Sequence, residues 1–364
     1  MLLTCSVKRF QIHTYYYKVV LVLFVGVLSS CEKAFIEPNS DSSPEKNFEI
    51  FWNDIHNTYP FFSYDQVDWV AVYNATRPLV NASTTDDELF EIFKSMLRPL
   101  LDGHIALKKP SGQTWANERH YEYSSNYSFS LVRSRYLNNK VYHVTAPGYS
   151  DPSQTDTVIR YGFINNNSIL YFNVGTFLTN LPIRDTLRNI VQRNPQLKGI
   201  IMDVRSNGGG ILSSAQRLAS YFTGTTELYG YLKNKTGPLE DNFSESYPLY
   251  TLGDGLGSYG SKPAAVLTNR FDFSATEHFV MAVRDLPNVT TIGDTTGGAF
   301  SPVIQRTLPN GIQYTVVSSI TTDKHNRIFE KTGLAPEIYK ELTVTDFLAG
   351  KDPLLEIAIG KIEE

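Results

Sequence analysis

From Ile169 onward the chain alternates two hydrophobic patterns, and that alternation constrains the fold more than any other feature. Ile169 to Val174, Gly199 to Val204, Ala264 to Leu267 and Val289 to Ile292 are short strand patterns, mostly apolar in the first three and β-branched throughout the last. Helical patterns follow three of them, at Ile183 to Gln192, Leu212 to Phe222 and Ala275 to Arg284. Strands separated by helices of about ten to fifteen residues pair in parallel beneath those helices, which predicts an α/β class. At 364 residues, 41% hydrophobic and 19% charged, the chain is long enough to bury such a sheet in a substantial core. A net charge of −4, with no basic stripe interleaved with aromatics, argues against nucleic acid as a partner.

The preceding chain has a different character. Between residues 47 and 106, Phe48, Phe51, Trp52, Ile55 and Tyr59, then Leu89, Ile92, Phe93, Met96 and Leu97, recur at helical spacing. They predict a small helical module whose aromatic stripe is core. Residues 107–165 are polar and Tyr-rich, with strand-like pieces at Tyr127 to Val132 and Lys140 to Val144, and are expected to form a β-rich connection to a core over 166–364. No repeat of solenoid length is present.

Before the module, Lys8, Arg9 and Lys18 precede the apolar run Val19 to Leu28, which ends in Leu28-Ser29-Ser30-Cys31. About ten apolar residues are too few to span a bilayer and suit a signal peptide, here residues 1–30. The pattern resembles a bacterial lipoprotein signal. That resemblance implies cleavage before Cys31, lipid (palmitate among it) on that cysteine, and a protein anchored to a membrane of the bacterial cell envelope. Cys5 is then lost, and the single remaining cysteine has no disulfide partner within the chain. Residues 31–46, rich in Ser, Asp, Glu and Pro, are expected to tether lipid to domain.

Three short segments are candidates for chemistry. Ser274 stands where an apolar strand gives way to a helix, beside unpaired N–H groups and the positive end of the helix dipole, which favour an anion. Ser274-x-x-Glu277 is equally a capping box, whose work is to satisfy backbone donors. Asn207-Gly208-Gly209-Gly210 follows a buried-strand pattern and could present N–H groups to a dinucleotide, a phosphate or an oxyanion, or could simply turn the chain. The third Rossmann glycine is missing, Ser213 standing in its place, and so is the Gly-Lys-Ser/Thr of a P-loop. His104 follows a helix-stopping glycine in Leu100-Leu101-Asp102-Gly103-His104. No histidine pair or cysteine cluster has metal-ligand spacing, so no metal or other cofactor is expected.

In this order the segments resemble the carboxyl-terminal-processing, or tail-specific, serine peptidases, and within them the histidine branch that includes the tricorn core protease. The resemblance rests on Leu100 to His104, Asp203 to Gly210, Ser274 to Glu277, and Gly293-Asp294-Thr295-Thr296-Gly297-Gly298. It implies a crotonase-like ββα core behind a small N-terminal helical module. Where the better-known branch carries a lysine base, this chain has Gly298-Ala299-Phe300, whereas Phe329-Glu330-Lys331-Thr332-Gly333-Leu334-Ala335-Pro336-Glu337 fits the glutamate segment of the histidine branch.

The implied set is therefore Ser274 as nucleophile, His104 as base and Glu330 orienting the imidazole. Backbone N–H groups of Gly208, Gly209 and Ala275 would form the oxyanion hole, and a polypeptide would be the substrate. Asp102 is a further acid able to orient His104, Glu277 a cap, and Arg205 and Asn207 braces of the glycine turn. The PDZ domain common in relatives is not expected, since the roughly 60 residues between His104 and Ile169 are too few for one. A non-catalytic binding protein on the same scaffold is the alternative.

Overall fold

The computed structural model describes residues 41–100, 102–117, 127–138, 140–147, 153–178, 182–253, 255 and 257–364. The signal-like segment and Cys31 lie outside them. The helical module contains α1 (Pro44–Thr58), α2 (Phe62–Asp65), α3 (Trp69–Thr76) and α4 (Asp86–Leu97). α1 begins inside the expected tether, because Pro44 suits a first helical turn and the Ser43 side chain accepts the Lys46 N–H at 3.3 Å. Thr85 and Glu88 close a capping box on α4. The stripes on α1 and α4 meet face to face, Phe51 and Phe93 stacking with ring centres 3.9 Å apart.

The module does not close its core alone. β1 (Ala106–Lys108) and β2 (Thr114–Ala116) join β11 (Val303–Thr307) and β12 (Gln313–Val317) in an antiparallel sheet ordered β11-β12-β1-β2. Phe51 meets Tyr314 of β12 edge to face at 5.0 Å, and Val316 and Val317 lie in the same apolar cluster. Helices at one end of the chain are thus sealed by strands near the other, so unfolding either segment exposes the aromatic cluster of both.

The main sheet has seven strands in the order β14-β10-β9-β6-β5-β4-β3. β5 (Ile169–Val174), β6 (Gly199–Asp203), β9 (Ala264–Thr268), β10 (Val289–Gly293) and β14 (Ile338–Tyr339) run parallel. β4 (Thr155–Ile164) and β3 (Tyr142–Pro147) extend it antiparallel at one edge. The segment expected to be a connection therefore supplies strands to both sheets.

All residues of β5, β6 and β9 are buried, since both faces of the sheet are covered. Leu170, Phe172, Ile200, Met202 and Val266 pack under α6 (Ile183–Arg193), α7 (Leu212–Thr223) and α8 (Ala275–Val283). Their alternates Tyr171, Ile201, Ala265 and Leu267 face α10 (Pro353–Glu363), which follows the short α9 (Val344–Leu348). A third sheet, β13-β7-β8, is antiparallel and made of β7 (Leu228–Asn234), β8 (Tyr247–Tyr250) and β13 (Ser319–Asp323).

One element departs from expectation. Tyr127 to Val132 is not a strand: α5 (Phe129–Arg135) starts there, the Ser128 hydroxyl accepting the Leu131 N–H at 3.4 Å. Its buried Val132 packs on the α10 side of the sheet, so tertiary burial and a cap outweigh the β-propensity of the aromatics.

Candidate active site

The carboxyl ends of β6 and β9, neighbours in the sheet, carry the glycine turn and Ser274, the position where open α/β sheets present ligand sites. Ser274 has φ 54° and ψ −122°, a conformation that L residues avoid and that costs of order 1–3 kcal/mol. Its surroundings hold it there. The Ser274 N–H donates to Ala299 O at 3.0 Å and to Glu277 Oε2 at 3.2 Å, while the Phe273 N–H donates to Asn207 O at 3.1 Å. The Ser274 carbonyl accepts the N–H groups of Glu277 and His278 at 2.9 and 3.1 Å. A plain N-cap would sit in the extended region.

Glu277 caps the helix and does more. Its Oε1 accepts Thr296 Oγ1 and the Gly298 N–H, both at 2.6 Å, and its Oε2 also accepts the Ala299 N–H at 2.7 Å. One buried carboxylate therefore fastens the 296–299 turn to the nucleophile segment. Burial pushes its pKa up to about 7, against these hydrogen bonds, which pull it down.

The glycine turn lies against Ser274. A Cβ on Gly209 (φ 93°) would stand 2.6 Å from Phe273 O and 2.8 Å from Ser274 Cβ, so the approach requires glycine. Asn207 braces the turn, its Nδ2 donating to Val174 O at 3.0 Å and its Oδ1 accepting the Gly209 N–H at 2.9 Å. That last bond corrects one expectation: the Gly209 N–H is already engaged and is not an open oxyanion donor. Space opens beside Gly208, where an added Cβ would meet nothing within 4 Å. Ala275, at the first helical position, has an N–H with no intrahelical acceptor. Arg205 anchors the strand end in a buried cluster, its guanidinium paired with Asp203 at 2.7 Å and Asp352 at 2.9 Å.

Asp102, His104 and Glu330 converge, with one side-chain N or O atom from each lying within 4.8 Å of the others. The backbone N–H of His104 donates to Asp102 Oδ1 at 2.9 Å, and that oxygen stands 3.9 Å from the ring Nδ1. Thr315 Oγ1 of β12 donates to His104 O at 2.6 Å, fixing the loop to the four-stranded sheet. Glu330 Oε2 accepts the N–H groups of Phe300 and Ser301 at 3.1 and 3.0 Å, and Ser301 Oγ at 2.8 Å. Burial, then the nearby Asp102 charge, pushes its pKa up to about 8. This is the one group of His, Cys, Asp and Glu with metal-like spacing among the described residues. Glu330 Oε2 already accepts three hydrogen bonds, which fix the carboxyl in place.

Ser274 and Glu330 hang on consecutive links of one turn, Ser274 on Ala299 and Glu330 on Phe300 and Ser301. Lys331 clamps the other side: its Nζ bonds Leu100 O at 2.9 Å, Tyr59 Oη at 3.1 Å and the Asp65 carboxylate, and its N–H donates to Gly298 O at 2.6 Å. Its ammonium is occupied by the helical module and is no substitute for the missing lysine base. No local spacing marks Lys331, Ser301 or His278, because their partners lie more than twenty residues away.

Residues 168–340 match the model of peptidase family S41, and residues 40–98 match that of the Tricorn protease C1 domain. The chain is 25% identical over 186 residues to the carboxy-terminal processing protease CtpA of Bacillus subtilis (strain 168), covering 50% of this chain and 37% of CtpA. It is 24% identical over 181 residues to CtpB of the same organism, covering 48% and 34%. It thus spans about a third of the length of these curated relatives. Among solved structures, a candidate peptidase from Parabacteroides merdae ATCC 43184 superposes with a TM-score of 0.77 at 30% identity, covering 89% of this chain and 98% of that one. Mature CPAF complexed with lactacystin (TM-score 0.62, 11% identity, 88% and 99% covered) and the photosystem II D1 C-terminal processing protease (0.54, 15%, 85% and 96%) share the fold. With a relative at 30% identity matched over nearly its whole length, and the S41 model spanning both the parallel sheet and the Ser274 turn, this chain belongs to peptidase family S41.

Proposed function

We propose that the protein is a serine endopeptidase that hydrolyses polypeptides, with Ser274 as nucleophile, His104 as base and Glu330 as the acid behind the imidazole. The observation that carries this reading is the strained Ser274, clamped at a helix N-terminus against Gly209 and tied through the 299–301 turn to Glu330 of the Asp102, His104 and Glu330 cluster. Ser274 Oγ attacks the peptide carbonyl carbon while His104 takes the hydroxyl proton. The tetrahedral oxyanion is met by the N–H groups of Ala275 and Gly208; losing one such donor typically costs about 10²- to 10³-fold. His104 returns the proton to the leaving amine, which departs as the C–N bond breaks and leaves an acyl-enzyme. Water, deprotonated by the same imidazole, then releases the new carboxyl terminus and restores Ser274. Glu330 and Asp102 place negative charge beside the imidazolium formed in both half-reactions.

The test is labelling of the full chain with a fluorophosphonate and mapping of the adduct by mass spectrometry. The expected result is a single adduct on Ser274. A folded protein that binds peptides yet takes up no label would instead be a binding protein on this scaffold.

We propose, from the basic residues, apolar run and Leu28-Ser29-Ser30-Cys31 pattern, a lipid anchor on Cys31 at the cell envelope. Metabolic labelling with palmitate in a bacterial host is expected to mark the wild type and not Cys31→Ser. Equal labelling of both would refute the anchor.

A further inference from the structure

His278 sits one helical turn after Ser274, fully inside the protein, and both of its ring nitrogens are engaged. Nε2 is 3.0 Å from Phe300 O, and Nδ1 is 3.2 Å from Tyr229 Oη. A carbonyl oxygen only accepts, so Nε2 carries the proton, and Nδ1 must then accept the Tyr229 hydroxyl hydrogen. Gln216 Nε2 donates to the same Tyr229 oxygen at 3.0 Å, which leaves the Tyr229 hydrogen free to point at His278. Burial pushes the imidazole down to about 4, so this neutral tautomer persists through the neutral range.

The two ends of this residue grip the two halves of the site. Its backbone N–H donates to Ser274 O at 3.1 Å. Its ring holds the carbonyl of Phe300, whose N–H donates to Glu330 Oε2 at 3.1 Å. The residue before Phe300 offers its carbonyl to the Ser274 N–H. We infer that His278 is a positioning residue for the reaction: as a neutral donor it fixes the 299–301 turn against α8 and so sets the spacing between Ser274 and Glu330. This rests on the reading of Ser274 and Glu330 as nucleophile and acid. Tyr229, from β7 of the three-stranded sheet, enforces the tautomer, so a sheet remote from the chemistry supports it.

His278→Phe fills the space but cannot donate, and the Phe300 carbonyl is then free to swing. A displacement of about an ångström at the reacting groups costs on the order of 10²-fold in kcat. KM should stay nearly unchanged, because no substrate contact is removed. With the Phe300 and Ser301 amides less firmly aimed at Glu330, its charged form loses hydrogen bonds, and the acid limb of kcat should move to higher pH. His278→Gln, which keeps an N–H donor near Nε2, is expected to recover most of the rate and the original limb. Nitrogen NMR of the wild-type chain should show the Nε2–H tautomer unchanged from about pH 5 to 8.

Fluorophosphonate labelling of the wild type keeps the two readings apart. A wild type that labels on Ser274, beside a folded His278→Phe with the same kcat and pH limb, overturns the role of His278 alone. A wild type that does not label overturns both. Failure of His278→Gln to recover the rate, or an Nδ1–H tautomer in the wild type, also overturns the inference.

Discussion

Ser274→Ala is expected to lower kcat by on the order of 10⁶-fold, the loss seen when a serine hydrolase is stripped of its nucleophile. Ser274→Gly should be as inactive and yet more stable than the alanine variant, because the two differ at a single strained position. The φ of 54° penalises any Cβ, which alanine keeps and glycine lacks. Relief of that strain, partly offset by the greater freedom of glycine in the unfolded chain, should favour the glycine variant by about 1 kcal/mol. Denaturant melts of the two proteins and peptide turnover by each supply the check. Retention of more than roughly 1% of wild-type kcat by either variant would remove Ser274 from the chemistry, since a displaced nucleophile leaves far less than that.

Glu330→Gln is the second large effect, expected to reduce kcat by on the order of 10⁴-fold, because an amide cannot offset the charge on an imidazolium. The same carboxyl governs pH behaviour. Its folded pKa of about 8 lies above its ordinary value of 4.5, so the folded state binds the proton more tightly than the unfolded chain does. The stability it contributes is complete below about pH 4.5 and is lost as pH rises through about 8. Glu277, raised to about 7, adds a parallel loss over the lower part of that window.

Stability should therefore fall between pH 4.5 and 8 while kcat rises as Glu330 ionises, and Glu330→Gln should flatten the stability curve. Asp102→Asn separates the two acids. Asp102 charge is one cause of the raised Glu330 pKa, so its removal should move the acid limb to lower pH. Denaturation at stepped pH, paired with kcat profiles of the three proteins, reads both effects. A wild-type stability that climbs from pH 5 to 8 would contradict the assignment.

The parallel strands β5, β6, β9 and β10 and the helices α6, α7 and α8 were legible almost to the residue, while the two-residue β14 was not. Continuous apolar runs such as Ile169 to Val174 arise only where both faces of a strand are covered, and the amphipathic helices between them are the cover. Ser274 was legible as a position with two readings; in the structure the Glu277 carboxylate caps α8 and, with Ala299, holds the serine in a strained turn. Tyr127 to Val132 was misread because aromatic residues favour strands locally, while a Ser128 cap and the burial of Val132 make a helix there. The strands sealing the helical module were not legible either. β1 pairs with β12 across some two hundred residues, and no local periodicity encodes that pairing.

What the sequence determined by itself was the set of local structures: which segments bury two faces, where the glycines permit close approach, and which side chains could act as nucleophile, base and acid. Only the tertiary structure decided how they are held. Gly209 proved to be the residue that lets the turn approach Ser274, with its N–H committed to Asn207. Lys331 proved to be a clamp to Leu100, Tyr59 and Asp65, and His278 the link between Ser274 and the turn that carries Glu330. The reason is physical. A side chain's chemistry is a property of its residue type, but its hydrogen-bond partner, protonation and strain depend on which distant segments packing brings within about 3 Å of it.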